Sequence, residues 1–377
     1  MPLHAVEDLD DAYTVTRSFL GSLGRSDWLK LALVVLFVGG PGANFASIQY
    51  SVPADSDGGG VPPVDVGQLT VPDIWLIAAL VAAVAAFVVA LLLVGSIMEF
   101  VFVESLRQET VAIRRYWREH WRAGLGLFGF RLVLGLLVFG SVALFAGLFV
   151  LTMLGGGPPR SVFAVFAVAL VLVPLFVVLA VVVGLVNGFT TVFVVPIMLV
   201  EEVGVLAGWR RLWATIPANW TQYLAYAVAG AILSMVGGVV VGIVAGVAAL
   251  VLLVPFGALF GGGFLLFSAV ESLGILVMAI AAVLFVVCLV AVAAVVQVPV
   301  QTYLRYYAML VLGDVAPDLD PVPEQRSAVR ADDEEGDGGS GAGEFDDSDG
   351  DGSADEAGPD GEGDGVGGGD ETDTHGQ

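Results

Sequence analysis

The chain has 377 residues, of which 57% are hydrophobic and only 14% are charged, and its formal net charge is −23. Soluble globular proteins carry roughly a quarter charged residues, and disordered chains have low hydrophobicity, so this composition excludes both classes for the chain as a whole. The charge is unevenly placed. Residues 314–377 hold 22 of the 38 acidic residues and 2 of the 15 basic ones, a net charge of −20. We therefore predict an apolar body followed by a disordered, acidic, Gly/Asp-rich tail.

The first 27 residues precede the first apolar run and are predicted to form a cytoplasmic amphipathic segment. Leu3, Val6, Leu9, Tyr13 and Leu20 recur at roughly helical spacing between acidic residues. This pattern is typical of a short helix that lies on a membrane surface. The domain boundaries that follow are 1–27 for this segment, 28–313 for a transmembrane helical domain and 314–377 for the tail.

Five apolar runs are long enough to cross a bilayer, which takes about 20 apolar residues for about 30 Å of hydrocarbon. They occupy residues 74–97, 123–154, 162–199, 223–254 and 265–299. A sixth run at residues 29–48 is interrupted by Gly39, Gly40 and Pro41, so a re-entrant segment is the alternative to a full span. Because a lipid-exposed backbone must satisfy its own hydrogen bonds, the spans are helices. The predicted fold class is an all-α integral membrane protein with about six transmembrane helices in hairpins.

The basic residues favour six spans over five. With six, thirteen Arg and Lys residues fall on one side of the membrane and only Arg160 on the other, with Arg131 set aside as membrane-embedded. Basic residues are enriched in cytoplasmic loops, so both termini are predicted to be cytoplasmic in a cell membrane. The thirteen residues are Arg17, Arg25, Lys30, Arg107, Arg114, Arg115, Arg118, Arg122, Arg210, Arg211, Arg305, Arg326 and Arg330.

Two stretches carry a resemblance to known proteins. Residues 196–213 run from Pro196 through Glu201 and Glu202 to Arg210 and Arg211, and this order resembles the juxtamembrane motif of the membrane domain beside some glycerophosphoryl diester phosphodiesterases. Residues 4–11 and 28–41 are similar to multi-spanning membrane proteins of haloarchaea, a resemblance over roughly residues 3–315. It implies an integral membrane protein with no assigned reaction, and the phosphodiesterase chemistry is not implied because its catalytic domain is missing.

The choice of basic residues also indicates the kind of organism from which the chain comes. They comprise 14 Arg and a single Lys, and together with the acidic tail this usage resembles the proteins of halophilic archaea. A GC-rich genome that encodes an acidic disordered tail is the alternative interpretation.

Small residues form a stripe along the fifth span. They recur at every fourth position, at Gly230, Ser234, Gly238, Gly242 and Gly246. Such spacing lets another helix approach closely, backbone to backbone. The stripe predicts either a homo-oligomer through the fifth span or helix packing within the bundle.

Two basic-aromatic segments lie beside the predicted membrane surface and are candidates for contact with anionic lipid headgroups. Each Arg near such a surface contributes about 1 kcal/mol before salt screening. The alternative is that these residues only set the topology. The candidates are Arg114, Arg115, Trp117, Arg210, Arg211 and Trp213.

Arg131 is the most unusual charge because it lies inside an apolar run, about 10 Å from its start at 1.5 Å per residue. Buried charges in membranes are costly and are usually paired. Glu271 is predicted near the outer end of the sixth span, at the opposite depth, whereas Glu99 is predicted at the same end as Arg131. We therefore expect an intramembrane Arg131–Glu99 pair that fixes helix packing.

The sequence offers no residues for catalysis or cofactor binding. Cys288 is the only cysteine, and His4, His120 and His375 are not at metal-ligand spacing, so no metal site, cofactor or enzymatic activity is expected. The bilayer is the expected partner, no nucleic acid is expected, and no partner of the tail is indicated. The leading hypothesis is a non-catalytic membrane protein with a structural or lipid-associated role.

A small-solute transporter or channel component is the alternative function. It would need a polar vestibule at the cytoplasmic side of the bundle. The residues that could line one are Asn187, Thr190, Thr191, Gln297, Gln301, Pro174, Pro196 and Pro299.

Overall fold

The computed structural model describes residues 4–38, 71–154 and 161–338, and all the regular structure in these ranges is helical. In chain order the elements are α1 (His4–Ser22), α2 (Arg25–Val38), α3 (Val71–Arg107), α4 (Ile113–Leu154), α5 (Ser161–Phe189), a π-helical turn (Thr190–Val194), α6 (Val195–Glu201), α7 (Val205–Phe267), α8 (Glu271–Val315), a 3-10 turn (Pro317–Leu319) and α9 (Pro323–Gly338). The described part of the chain is thus all-α, as predicted.

Five helical stretches in these ranges are long and apolar enough to cross a membrane. They are α3, α4, the run from α5 through the π-helical turn into α6, α7, and α8. The prediction of a multi-pass membrane protein is confirmed at this level. The predicted sixth span begins in α2, which is 14 residues long and would reach only about 21 Å. Residues 39–48 of that run, the loop after it and Arg160 lie outside the described residues.

The most tightly packed part of the bundle lies where the Arg residues are concentrated. There the last turns of α3 and α8, the beginning of α4, the short helix α6, and α1 and α2 bury one another. The largest fully buried side chains here belong to Phe19, Phe100, Phe102, Tyr116, Phe193, Ile197, Tyr306 and Tyr307. At 1.5 Å per residue, the 45 residues of α8 reach about 68 Å, more than twice the hydrocarbon thickness, so this core extends beyond the bilayer.

Away from this core the long helices present apolar side chains to their surroundings. Leu80 of α3, Phe139 of α4 and Val254 of α7 are each more than 60% exposed. In water such a surface would drive aggregation, whereas in a bilayer it is covered by lipid tails. The exposure therefore marks the membrane-facing surface of the bundle.

The hairpin of α7 and α8 is held together by glycines that allow close helix contact. A Cβ added at Gly237 would lie 2.5 Å from Val300 Cγ1, and one added at Gly263 would lie 2.8 Å from Met278 Cγ. At the hairpin turn, Gly274 packs directly against the backbone of Phe267. Only residues without a side chain fit at these three positions, which is the usual basis of close packing in membrane bundles.

Helix α7 contains a kink that separates its basic-aromatic beginning from its membrane part. Asn219 has non-helical backbone angles, with φ −129° and ψ 30°. Pro217 lies two residues earlier and has no N–H to donate to the preceding turn, which weakens the helix at this point. The residues before the kink, including Arg210, Arg211 and Trp213, therefore form their own short helix.

Helix α1 and the residues that follow α8 contribute buried side chains to the core. The described residues up to Asp332 belong to one compact unit, and a second unit begins at Asp333. Helix α1 buries Ala12, Val15 and Phe19, and of the predicted stripe Leu9 and Leu20 are half-buried against the same core, whereas Tyr13 is 56% exposed. The predicted tail from residue 314 begins with packed structure, since Val322 is fully buried. Residues 339–377 lie outside the described residues.

Candidate functional site

Glu99 of α3 and Arg131 of α4 lie on two neighbouring helices that pack closely. A Cβ added at Gly124 would lie 2.9 Å from Ile97 Cα, so the two backbones nearly touch at this point. Glu99 lies two residues beyond Ile97, and Arg131 lies two helical turns beyond Gly124. The Arg131 Nη2 atom is 3.5 Å from Glu99 Oε2. The two residues that the sequence predicts as an intramembrane pair are therefore neighbours.

A third charged residue, which the sequence analysis did not connect to this pair, completes the cluster. Arg305 of α8 donates from Nη2 to Glu99 Oε1 in a close ion pair, and its guanidinium lies 5.7 Å from the centre of the Phe102 ring. Glu99 is fully buried, and the side chains of Arg131 and Arg305 are 11% and 5% exposed. We call Glu99, Arg131 and Arg305 the charge triad. One carboxylate serves two guanidinium groups, so the triad carries one net positive charge.

The π-helical turn supplies the remaining hydrogen bonds of the charge triad. Arg131 Nη2 donates to Thr191 Oγ1 at 2.7 Å, and Arg305 Nη1 donates to the Thr191 carbonyl oxygen. A π-helical turn inserts one residue into a helix and disturbs the regular pattern of carbonyl hydrogen bonds, and such turns are frequent at functional sites. The turn therefore presents both a side-chain and a backbone oxygen of one residue to the two arginines.

Helix α7 holds the π-helical turn from the other side. Trp209 Nε1 donates to Thr190 Oγ1 at 2.9 Å, and Thr190 in turn donates to the Val186 carbonyl oxygen at 2.6 Å. Gly208 lets α7 approach, since a Cβ there would lie 2.9 Å from Val194 Cγ1. These contacts fix the position of the neighbouring Thr191 relative to the charge triad.

A cleft of about 730 Å³ opens beside the charge triad. It lies between α5 and α7, and α8 forms its floor. We call it the polar cleft, because Arg131, Arg305, Asn187, Thr191, Ser234, Gln297 and Gln301 all line it. Its lining contains two arginines and no Asp or Glu from the described residues. A volume of this size is typical of small-molecule sites.

The polar cleft is amphipathic along its length. Gln297, Gln301 and Arg305 follow one another at every fourth residue of α8, so they span about 12 Å of one helix face. The charged end contains Arg305, Arg131 and the aromatic ring of Tyr226. Apolar residues contribute the walls, among them Leu185, Phe189, Val192, Met235 and Val241.

The structure brings some of the residues of the predicted vestibule together and separates others. Asn187, Thr191, Gln297 and Gln301 line the polar cleft. Thr190 is instead buried behind it, in the contact with Trp209. None of the three prolines lines the polar cleft: Pro196 is buried in the core, Pro174 is exposed, and Pro299 faces the groove beside α1.

The predicted lipid-contact residues lie at the Arg-rich end of α4 and α7. Arg114, Arg210 and Trp213 are exposed, whereas Trp117 is half-buried against the core. Arg115 and Arg211 are engaged in ion pairs: Arg115 Nε is 3.1 Å from Glu119 Oε1, and Arg211 Nη2 is 2.9 Å from Glu201 Oε1.

The stripe of small residues does not form the α7–α8 contact. Gly238, Gly242 and Gly246 have no atom within 4 Å of an added Cβ, and Ser234 is exposed. Gly230 is buried but faces Tyr226 of its own helix. The glycine that meets α8 is Gly237, one position off the stripe, so packing inside the bundle does not explain the stripe in the described residues.

Residues 3–322 match the model of a family described as a family of unknown function, DUF7544. The chain belongs to the DUF7544 family. The match extends over α1 to α8 and so includes the charge triad and the polar cleft of this DUF7544 chain. No curated protein and no solved structure matches it.

The DUF7544 chain has a second charged cluster outside the membrane part, where α1, α8 and α9 meet. Arg330 Nη2 is 2.7 Å from Asp314 Oδ2 and 3.3 Å from Asp8 Oδ1, and its Nε is 3.3 Å from Asp11 Oδ2. The hydrogen bond with Asp314 raises the pKa of the Arg330 guanidinium. Burial, and then the neighbouring Asp314, raise the pKa of Asp8 to about 8. We call this group the terminal cluster.

Arg326 binds the other side of the terminal cluster. Its Nη1 is 3.3 Å from Asp314 Oδ1 and 3.1 Å from Asp320 Oδ2, and its Nη2 donates to the Leu310 carbonyl oxygen at 2.8 Å. Burial raises the pKa of Asp320. Arg326 and Arg330 thus hold the start of the predicted tail against the body of the DUF7544 chain. No group of His, Cys, Asp and Glu that could hold a metal is present in the described ranges.

Proposed function

We propose that this protein is a non-catalytic, lipid-associated membrane protein whose polar cleft binds an amphipathic molecule. The observation that carries the proposal is the amphipathic lining of the cleft. Two arginines and three carboxamide side chains occupy a wall that is continuous with Leu185, Met235 and Val241. A lipid would place its headgroup at the arginines and its chains along the apolar part.

The position of the cleft supports a ligand that enters from the bilayer. Met235 is 69% exposed and Leu185 is 52% exposed, although both line the cleft. Gly184, Gly188 and Gly238 at its rim are exposed as well. The cleft therefore opens sideways on the membrane-facing surface, where lipid is the most abundant molecule.

The topology belongs to the same proposal. We infer six spans, with α2 and residues 39–48 as the first, both termini in the cytoplasm, and a disordered acidic tail suited to a halophilic archaeon. Reporter fusions placed after Gly60 and after Gln377 are expected to report opposite sides of the cell membrane. Signals from the same side would contradict the six-span topology, because the five long apolar stretches between these two positions place them on opposite sides.

The lipid proposal is tested by filling the cleft. The protein is purified in a mild detergent, and its bound lipid is measured by native mass spectrometry. We expect retained lipid in the unmodified protein and its loss in Gly238→Trp, because Gly238 lines the cleft. Gly246→Trp is the matched control, since Gly246 is also exposed on α7 but lies outside the cleft. Equal retention in both variants would contradict the proposal.

A solute carrier or channel component is the second candidate, and the polar ladder of Gln297, Gln301 and Arg305 is the observation that favours it. A carrier needs a polar path across the bilayer, whereas a lipid site needs only the cleft. Liposomes containing the protein distinguish the two. Release of a small anionic dye that is abolished by Gly238→Trp would favour the carrier, and sealed liposomes with retained lipid would favour the lipid site.

A further inference from the structure

We infer that the charged end of the polar cleft is a binding site for an oxyanion, a phosphate or carboxylate group, held by Arg131 and Arg305. The inference deepens the proposed function and rests on it where the oxyanion is a lipid headgroup. The same chemistry would also accept a free phosphate ion. The argument depends on charge balance, on hydrogen bonds and on the position of the arginines.

Charge balance is the first observation. Glu99 neutralises only one of the two guanidinium groups, so the charge triad retains one positive charge in a buried part of the protein. No Asp or Glu from the described residues lines the cleft and could balance it. An unbalanced charge at such a place is costly, and a bound anion would remove the cost.

The hydrogen bonds of Arg131 are the second observation. Glu99 engages Arg305 closely, whereas its distance to Arg131 Nη2 is 3.5 Å, longer than the 2.7–2.9 Å of good charge-assisted bonds. Arg131 Nη2 has a better partner in Thr191 Oγ1, but Arg131 Nε is buried and has no acceptor. Arg131 therefore has unused donor capacity of the kind that binds carboxylate and phosphate.

Position is the third observation. Arg131 comes from α4 and Arg305 from α8, yet both line the same cleft, and the π-helical turn binds both through Thr191. The side chains of Asn187 and Gln301 lie in the same lining and carry N–H donors. Donors from several helices thus converge on one cavity, which a purely structural ion pair would not require.

The inference is tested with defined probes. Detergent-purified protein is stripped of lipid and titrated with phosphatidylglycerol, with phosphatidylcholine, or with sodium phosphate alone, and binding is measured by native mass spectrometry and by thermal shift. We expect phosphatidylglycerol to bind in preference to phosphatidylcholine. Because one hydrogen bond to a charged group corresponds to about a tenfold change in affinity, Arg131→Gln should weaken phosphatidylglycerol binding about tenfold.

Two variants keep the result specific. Arg131→Lys retains the charge and should restore part of the binding, whereas Arg25→Gln removes an equal charge from an exposed site on α2 and should change nothing. Equal losses in Arg131→Gln and Arg25→Gln would show general surface attraction and overturn the inference. Arg131→Gln protein is used only if its helical circular dichroism equals that of Arg131→Lys. In a separate variant, Glu99→Gln adds one net positive charge to the charge triad and should strengthen binding.

The arms of the experiment separate the sources of the anion. If both lipids bind equally well, Arg131→Gln weakens neither and Gly238→Trp abolishes both, the proposed function stands and the oxyanion site is refuted. If sodium phosphate alone gives a shift that Arg131→Gln removes, and no lipid is retained, the site binds a free oxyanion and the lipid proposal fails. Absence of any phosphate or lipid response would overturn both.

Discussion

Glu99 is the residue whose replacement should damage the protein most, because it is the one carboxylate between two guanidinium groups. The substitution Glu99→Gln keeps the size of the side chain and removes only its charge. In the native protein Glu99 is fully buried, and its oxygens face Arg305 and Arg131. The variant leaves both arginines buried without a counter-charge.

The expected cost follows from the geometry. At 3.5 Å and an effective dielectric constant of about 20, the attraction between Arg131 and Glu99 is about 5 kcal/mol, most of which is offset by the desolvation of both ions. Breaking a buried pair by removing one partner typically costs about 3–5 kcal/mol. We expect this cost for Glu99→Gln. Arg131→Gln should cost less, about 1–2 kcal/mol, because Glu99 keeps its closer contact with Arg305.

The assay is a double-mutant cycle in detergent. Unfolding of the wild type, Glu99→Gln, Arg131→Gln and the double variant is followed by circular dichroism as sodium dodecyl sulfate is added. A coupling energy of about 0.5–3 kcal/mol is expected for residues in contact. Glu119→Gln is the control, since Glu119 forms a solvent-exposed pair with Arg115 that should contribute little to stability. Additive effects, or equal costs for Glu99→Gln and Glu119→Gln, would refute the reasoning.

Three further predictions concern other parts of the bundle. The pKa of Asp8 is raised from 3.8 to about 8, so between these pH values folded Asp8 binds a proton that the unfolded chain has lost. Its contribution to stability is therefore full below pH 4 and declines as the pH rises towards 8. Thermal unfolding of Asp8→Asn should lack this decline, and an unchanged dependence of stability on pH would contradict the assignment. Gly237→Ala should destabilise the α7–α8 hairpin in the same detergent assay, because its Cβ would lie 2.5 Å from Val300 Cγ1. The Cβ of Gly238→Ala would have no atom within 4 Å, so this variant should be neutral or slightly stabilising. Equal effects of the two substitutions on stability would exclude the close contact. If the small-residue stripe forms a homo-oligomer, Gly242→Ile should reduce the mass measured by light scattering without changing the unfolding curve, and an unchanged mass would remove the stripe from any interface.

Much of the fold could be predicted because the membrane constrains it. Apolar runs of sufficient length give helices, since no other element can satisfy its backbone in lipid, and five such helices are present in the described residues. Depth in the membrane, counted from the ends of the apolar runs, excluded Glu271 as the partner of Arg131 and favoured Glu99. Arg131 Nη2 and Glu99 Oε2 lie 3.5 Å apart. The length of an apolar run and the depth of a residue within it can both be counted along a sequence, so these two features could be predicted.

Tertiary contacts account for what the sequence did not reveal. Arg305 follows an apolar run, and sorting charges by side assigned it to the cytoplasmic surface, yet it is buried on Glu99, which lies 206 residues earlier. The start of the tail was placed at residue 314 by charge alone, but Arg326 and Arg330, the two basic residues of that segment, neutralise the acids of its first turns. No local pattern specifies either contact.

The terminal cluster also constrains the order in which the protein is assembled. Asp8 and Arg330 are 322 residues apart in sequence, so the first helix leaves the ribosome long before its partners exist. Until α8 and α9 are synthesised and the last span has entered the bilayer, Ala12, Val15 and Phe19 have no surface to cover them. Docking of α1 is therefore a late event of biogenesis, and a chain truncated before α8 would leave its N-terminal helix available to chaperones and proteases.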